Sequence, residues 1–180
     1  MDELEDDDVP ARVFEGMFVG GELLPEVELA AALRGIGYEP EAPRKMYSAR
    51  VWRAALEVAR LRVYPMRPEA DGFRALGRRF ADGFGKTIVG RVFRSVAPIF
   101  GVDRTVLSVP RYLHAVRRKM DLEMHAVGVN HYRLTASDPH PNPEFIAGCM
   151  LGILDVFAIE GTATVLVSEP ERFELEFRWE

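Results

Sequence analysis

Apolar residues recur at three- and four-residue spacing through the first two thirds of the chain, and at every second residue near its end. After Ser48, placed to cap a helix, Val51, Trp52, Ala55, Leu56, Ala59 and Val63 share one face until Pro65 stops the run. Arg50, Arg53, Glu57 and Arg60 fall on the outer face. Pro68 opens a longer stretch in which Phe73, Leu76, Phe80, Phe84 and Ile88 hold the helical period, continuing through Phe93 and Val96 to Pro98. Gly77, Gly83, Gly85 and Gly90 interrupt it, which predicts two helices or one kinked helix whose glycines permit close packing. Asp103 is placed to cap a shorter helical region, and Pro110 begins a segment ending in Arg117-Arg-Lys119. Upstream, Arg12 to Val19 is rich in strand formers and closes at Gly20-Gly21, and Pro25 suits the first turn of a helix reaching Gly35. A Pro-containing loop spans Tyr38 to Lys45.

From Asp121 the period becomes two. Setting Leu122, Met124 and Ala126 opposite Ala136, Leu134 and Tyr132 puts the apolar side chains on one face and Glu123, His125, His131 and Arg133 on the other. Pro143 then starts a helix with Ile146, Cys149, Met150, Ile153, Leu154 and Phe157 inward, and Gly161 ends that region. A second hairpin follows: Ala163, Val165 and Val167 before Pro170, and Phe173, Leu175, Phe177 and Trp179 after it. The expected fold class is α+β, with an antiparallel sheet of two hairpins plus an N-terminal strand, covered by a helical layer. Residues 1–9 are expected to form an acidic tail and residues 10–180 a single domain.

Charge changes this picture by dividing the chain. Residues 1–43 hold 2 basic and 12 acidic side chains, residues 44–119 hold 18 and 5, and residues 120–180 hold 3 and 11. A strongly basic middle therefore lies between two acidic ends, although the formal net charge is only −5. No stretch approaches the roughly 20 apolar residues of a membrane-spanning helix, and no signal peptide is evident, so a cytoplasmic location is expected. The lone Cys149 allows no intrachain disulfide and no cysteine-based metal framework.

Candidate chemistry is sparse. Gly83-Phe-Gly-Lys-Thr87 resembles the end of a phosphate-binding loop, but the full spacing needs glycine where Phe80 stands, and helical periodicity precedes it. A glycine-relieved helix junction is the expectation. His114, His125, His131 and His140 show no metal-ligand spacing, and no nucleophile elbow or cysteine–histidine pair is present, so no enzymatic activity, catalytic residue, metal or cofactor is expected. Arg74, Arg78, Arg79, Lys86, Arg91, Arg94, Arg117 and Arg118 form the basic row, suited to phosphate or to an acidic partner. The same residues can instead pair with the acidic segments of this chain or of a second copy.

Val13-Phe-Glu-Gly-Met-Phe18, Tyr47-Ser-Ala-Arg-Val-Trp52, Ala75-Leu-Gly-Arg-Arg79 with Thr87-Ile-Val-Gly-Arg91, and Phe145-Ile-Ala-Gly148 before a hairpin ending in Trp179 resemble a myxobacteria-restricted family of domains of unknown function. That family in turn is similar to the group containing haem-nitric-oxide-binding domains, 4-vinyl-reductase ligand-binding domains and TRAPP trafficking subunits. The resemblance implies helices packed on an antiparallel sheet, often around an apolar pocket and often in a dimer. In the haem branch a helical histidine binds iron, and His114 occupies a comparable place, but the Tyr-x-Ser-x-Arg motif that holds haem propionates is missing. The expected function is a non-enzymatic regulatory or protein-interaction domain with a small apolar ligand in a helix–sheet pocket, and a homodimer or acidic protein as partner. The alternatives are a nucleic-acid or nucleotide-signal binder acting through the basic helices, and a haem-based gas sensor with His114 on the iron.

Overall fold

The computed structural model describes residues 7–23 and 27–180. Residues 1–6 of the expected tail, and Pro25 as a helix start, lie outside the described residues. Residues 7–9, assigned to the tail from sequence, instead belong to strand β1 (Asp7–Pro10), which pairs antiparallel with β2 (Met46–Ser48) and buries Val9 completely. The N-terminal strand is thus earlier than expected and forms a separate two-stranded ladder rather than joining the main sheet.

The expected strand over Arg12 to Val19 is helical. Helix α1 (Ala11–Phe14) continues as a π-helical turn over Glu15–Gly20. Strand propensity is overridden because Val13, Phe14, Met17 and Phe18 recur at helical spacing and bury together. Phe14 stacks on Tyr38 with ring centroids 4.4 Å apart and meets Trp52 edge-on at 4.9 Å. Helix α2 (Val27–Gly35) follows, and then α3 (Ala49–Val63), capped by the Ser48 hydroxyl, which accepts from the Val51 amide at 3.3 Å. Arg60, placed outside from sequence, is buried: its stem crosses Gly72 and its guanidinium lies 5.4 Å from the Phe73 ring centroid.

The long glycine-interrupted stretch is two helices, α4 (Glu69–Gly85) and α5 (Ile88–Phe100), and α5 runs past Pro98, where a stop was expected. Lys86 and Thr87 form the elbow, so the phosphate-loop lookalike is a helix junction. Asp103 is not a cap. Gly101 precedes α6 (Val102–Leu107), and the Asp103 carboxylate accepts from the Tyr132 hydroxyl at 2.5 Å. Burial, followed by that bond, pushes the Tyr132 phenol up to about 12. Helix α7 (Val109–Val116) carries Pro110 in its first turn.

Strands β3 (Asp121–Gly128) and β4 (His131–Ser137) adopt the expected register, with Leu122, Met124 and Ala126 opposite Ala136, Leu134 and Tyr132. With β5 (Gly161–Ser168) and β6 (Arg172–Trp179) they form one antiparallel sheet in the order β3-β4-β6-β5. Its inner face buries Tyr132, Leu134, Phe173, Leu175, Phe177 and Trp179. Helix α8 (Pro143–Asp155), capped by the Asn142 side chain, covers β5 and β6, and α7 covers β3. Buried residues occupy every side of α8 because α4 lies on its far face.

Glycines make that stacking possible. A Cβ on Gly77 would strike the Phe145 carbonyl, and one on Gly148 would strike the Arg74 carbonyl, so α4 and α8 touch backbone to backbone. On its other side α4 meets the π-turn through Gly83 and Gly20. Gly148→Ala is expected to destabilise the fold by about 1–3 kcal/mol, because rigid backbone blocks the added methyl; chemical denaturation monitored by circular dichroism measures it, and an unchanged midpoint would contradict the close crossing.

Candidate functional site

An apolar cavity of about 470 Å³ lies among α4, α5, α7 and α8. Phe80 and Phe84 of α4, Phe93 of α5, Leu113 of α7, and Met150 and Ile153 of α8 supply most of its wall. All of these residues except Leu113 lie on helix faces whose spacing predicts burial, yet α5 does not close onto the others. Its two ends explain why. At the elbow, the Thr87 hydroxyl donates to the Phe84 carbonyl at 2.7 Å and accepts from the Gly90 amide at 3.1 Å. A Cβ on Gly90 would collide with the same Phe84 carbonyl, so the turn is as tight as the chain allows. At the far end Gly101, at φ +83°, redirects the chain into α6.

Between these anchors, Ala97 is the only buried side chain among those described on α5. Val92, Ile99 and Phe100 are 62%, 79% and 55% exposed. Phe93 meets Tyr112 of α7 edge-on, with ring centroids 5.3 Å apart. A second hollow of about 500 Å³ opens between α5, α6 and α7, so α5 is hollowed beneath on both flanks.

The charged side chains lining the cavity are Arg12 and Arg94, with no acidic residue and no histidine among its described lining. Arg94 crosses the elbow where Gly85 leaves room for its guanidinium, and its Nη2 donates to the Asp82 carboxylate at 2.8 Å. That hydrogen bond, helped by the charge of Lys86, holds the Asp82 carboxyl below the usual carboxylate range. The Nε of Arg94 is buried without a hydrogen-bond partner.

The basic row identified from sequence does not converge on one surface. Arg74 and Arg78 reach from α4 to α8, pairing with Glu144 at 2.5 Å and Asp155 at 3.3 Å. Arg79 donates to the Gly21 carbonyl at 2.7 Å, and Lys86 pairs with Glu22 at 2.9 Å. Arg117 and Asp138 form a buried pair at 2.6 Å, with side chains 9% and 3% exposed. Arg91 and Arg118 are exposed and have no ion-pair partner among the described residues. His125 contacts Glu123 at 3.1 Å and His131 contacts Glu176 at 2.9 Å, and no group of metal-ligating side chains occurs among the described residues. No described helix is long and apolar enough to cross a membrane.

The family model described as "Protein of unknown function (DUF2378)" matches residues 8–180. No curated protein matches the chain in sequence. Among solved structures, a double variant of Tt H-NOX is similar with TM-score 0.70 and 11% identity over 96% of this chain and 95% of that one. An H-NOX protein from S. oneidensis in the Fe(II)NO ligation state gives 0.69 and 12% over 96% and 99%. An oxygen-binding H-NOX domain related to soluble guanylate cyclases, in its oxygen complex, gives 0.68 and 12% over 94% of each. At such identities the likeness establishes the fold alone.

A haem group, which such folds can hold, does not fit the donors present. His114 is exposed on α7 and is not among the residues lining the cavity. Cys149 does line it, but burial pushes its thiol far up, away from the thiolate that binds iron. The sequence contains no Tyr-x-Ser-x-Arg motif, and the Tyr132 hydroxyl of the sheet is engaged by Asp103.

Removing the Asp138 carboxylate from its buried pair with Arg117 by Asp138→Ala is expected to cost about 3–5 kcal/mol, measured by urea unfolding. Glu174→Ala at the exposed Arg172 pair should cost under about 1 kcal/mol in the same assay.

Proposed function

This chain belongs to the DUF2378 family, and on that premise we propose that it is a non-enzymatic regulatory domain that binds a small, largely apolar molecule in the cavity beneath α5. The observation that carries the reading is the roughly 470 Å³ apolar hollow, within the size range of pockets for drug-sized ligands. A filled core would leave no such space, because interiors pack to crystal-like density. Each ligand methylene moved from water into the hollow contributes about 0.8 kcal/mol. An occupant would touch Phe93 on α5 and Met150 on α8 together, giving α5 the packing that it lacks. Occupancy would then bias the position of α5, which exposes Val92 at the cavity rim and Ile99 and Phe100 toward its far end, apolar surface through which a second copy or another protein would read the bound state. The DUF2378 family description assigns no activity, and the reading invokes no reaction.

A haem-based gas sensor is the second reading, favoured by the likeness to H-NOX domains and opposed by the donor set. Two measurements separate the readings. Nile red, a neutral apolar dye, is expected to bind with a fluorescence increase, and Ile153→Trp, which places an indole in the hollow, to weaken binding about tenfold or more with the fold retained by circular dichroism. Haemin titrated into the protein is expected to give no saturable, histidine-ligated Soret band, and His114→Ala should leave its spectrum unchanged. A stoichiometric Soret band lost in His114→Ala would favour the sensor reading instead.

A further inference from the structure

The second hollow, between α5, α6 and α7, joins apolar and cationic side chains at the surface. Phe93, Val96, Ala97 and Phe100 line it from α5, and Leu107 and Tyr112 from the other side. Phe100, Leu107 and Tyr112 are all exposed, and apolar surface gathered at one recess marks an interaction site where scattered residues do not. Arg104 and Arg111 also line it, with no acidic side chain among the described lining. Both are exposed, and neither has an ion pair or side-chain hydrogen bond among the described residues. Asp103, the carboxylate next to Arg104 in sequence, accepts instead from the Tyr132 hydroxyl. The hydroxyls of the recess donate internally, Thr105 to the Gly101 carbonyl at 2.9 Å and Ser108 to the Arg104 carbonyl at 2.7 Å. Ser108 keeps helical backbone angles between α6 and α7, so Arg104 and Arg111 stand roughly two turns apart along the recess, about 10 Å.

We propose that this recess docks an acidic amphipathic helix of a partner protein, its apolar side chains against Phe93, Val96 and Phe100 and its carboxylates meeting Arg104 and Arg111. The docking goes beyond the ligand reading and stands without it. Ala97 lines the recess although only 2% exposed, a depth that side chains of a helix reach and a flat bilayer does not. A nucleic-acid backbone would satisfy the two arginines and leave Phe100 and Leu107 unmatched. The arginines also select by repulsion, since a basic helix of the same shape would bring like charges together.

Fluorescence anisotropy with a labelled three-heptad helical peptide, leucine along one stripe and glutamate beside it, tests the proposal against the same peptide carrying lysine for glutamate. The formal net charge of −5 would by itself favour the lysine peptide, so a preference for glutamate reports a local site. At low ionic strength the glutamate peptide is expected to bind about tenfold or more tightly, and added salt to narrow the gap. The double variant Arg104→Glu/Arg111→Glu should reverse the preference with the fold retained by circular dichroism. Arg91→Glu, an exposed charge of α5 outside the recess, should leave it intact. Phe100→Ser should weaken the glutamate peptide about threefold or more. Absence of binding, equal affinity for the two peptides, or a preference that survives the double variant overturns the proposal. So does a dimer in sedimentation that the double variant dissociates, which would put a second copy in the recess. Tighter binding of a DNA duplex or of phosphatidylglycerol vesicles than of the glutamate peptide overturns it as well.

Discussion

The backbone contact between α4 and α8 is the constraint on which the rest of the molecule depends. Gly77 faces the Phe145 carbonyl, Gly148 faces the Arg74 carbonyl, and Gly152 meets the Ala81 side chain, so these two helices approach as closely as helices can. With α8 pressed on the sheet and α4 pressed on α8, the N-terminal aromatic cluster becomes the next layer outward, joined through Gly83 and Gly20. One helix thus positions the sheet, the core and the N-terminal segment together. The same arrangement fixes where the cavity lies. Helix α4 is committed to α8 along its length and ends at Gly85, leaving α5 to turn back through a tight elbow that cannot slide toward α8 without breaking the Thr87 cap.

The charge pattern acquires a physical meaning in this framework. Arg74 and Arg78 join the basic middle of the chain to the acidic C-terminal segment, Lys86 joins it to the acidic N-terminal segment, and Arg117 reaches Asp138 in the interior. The exposed pairs stabilise little individually. The buried Arg117 is different, because its desolvation is compensated in part by the Asp138 carboxylate held beside it.

Much of the architecture was legible in the sequence, and the reasons differ by region. The β3–β4 register followed from period-two patterning with one buried face, where a slip of one residue would expose Leu134 and bury Arg133. The Ser48 cap and the glycine junction followed from local stereochemistry. Arg12 to Val19 was misread because β-branched and aromatic residues favour strands only where a sheet receives them, and here Phe14 and Phe18 bury against Tyr38 on a helical face. Arg94 was identified as basic, not as cavity-lining. Periodicity marks the side of a helix that faces inward but carries no information on whether the space there is filled, so Phe84, Phe93 and Ile153 looked like ordinary core.

The likeness to H-NOX domains and the poor fit to haem follow from different parts of the molecule, and so do not conflict. A sheet, a buried helix and a helix standing off from it generate a hollow whatever occupies it, because the hollow arises from backbone crossings and elbows. What occupies it is decided by the few polar atoms in the wall. In this chain the helical histidine is exposed, the cavity thiol is pushed up by burial, and the Arg94 guanidinium at the cavity edge is held by Asp82. The folded-state pKa of Asp82 is depressed, so its contribution to stability is present above the ordinary carboxylate range and is lost as pH falls through the depressed value. The Arg94–Asp82 contact that ties α5 back to the end of α4 accordingly persists at neutral pH and weakens only in acid.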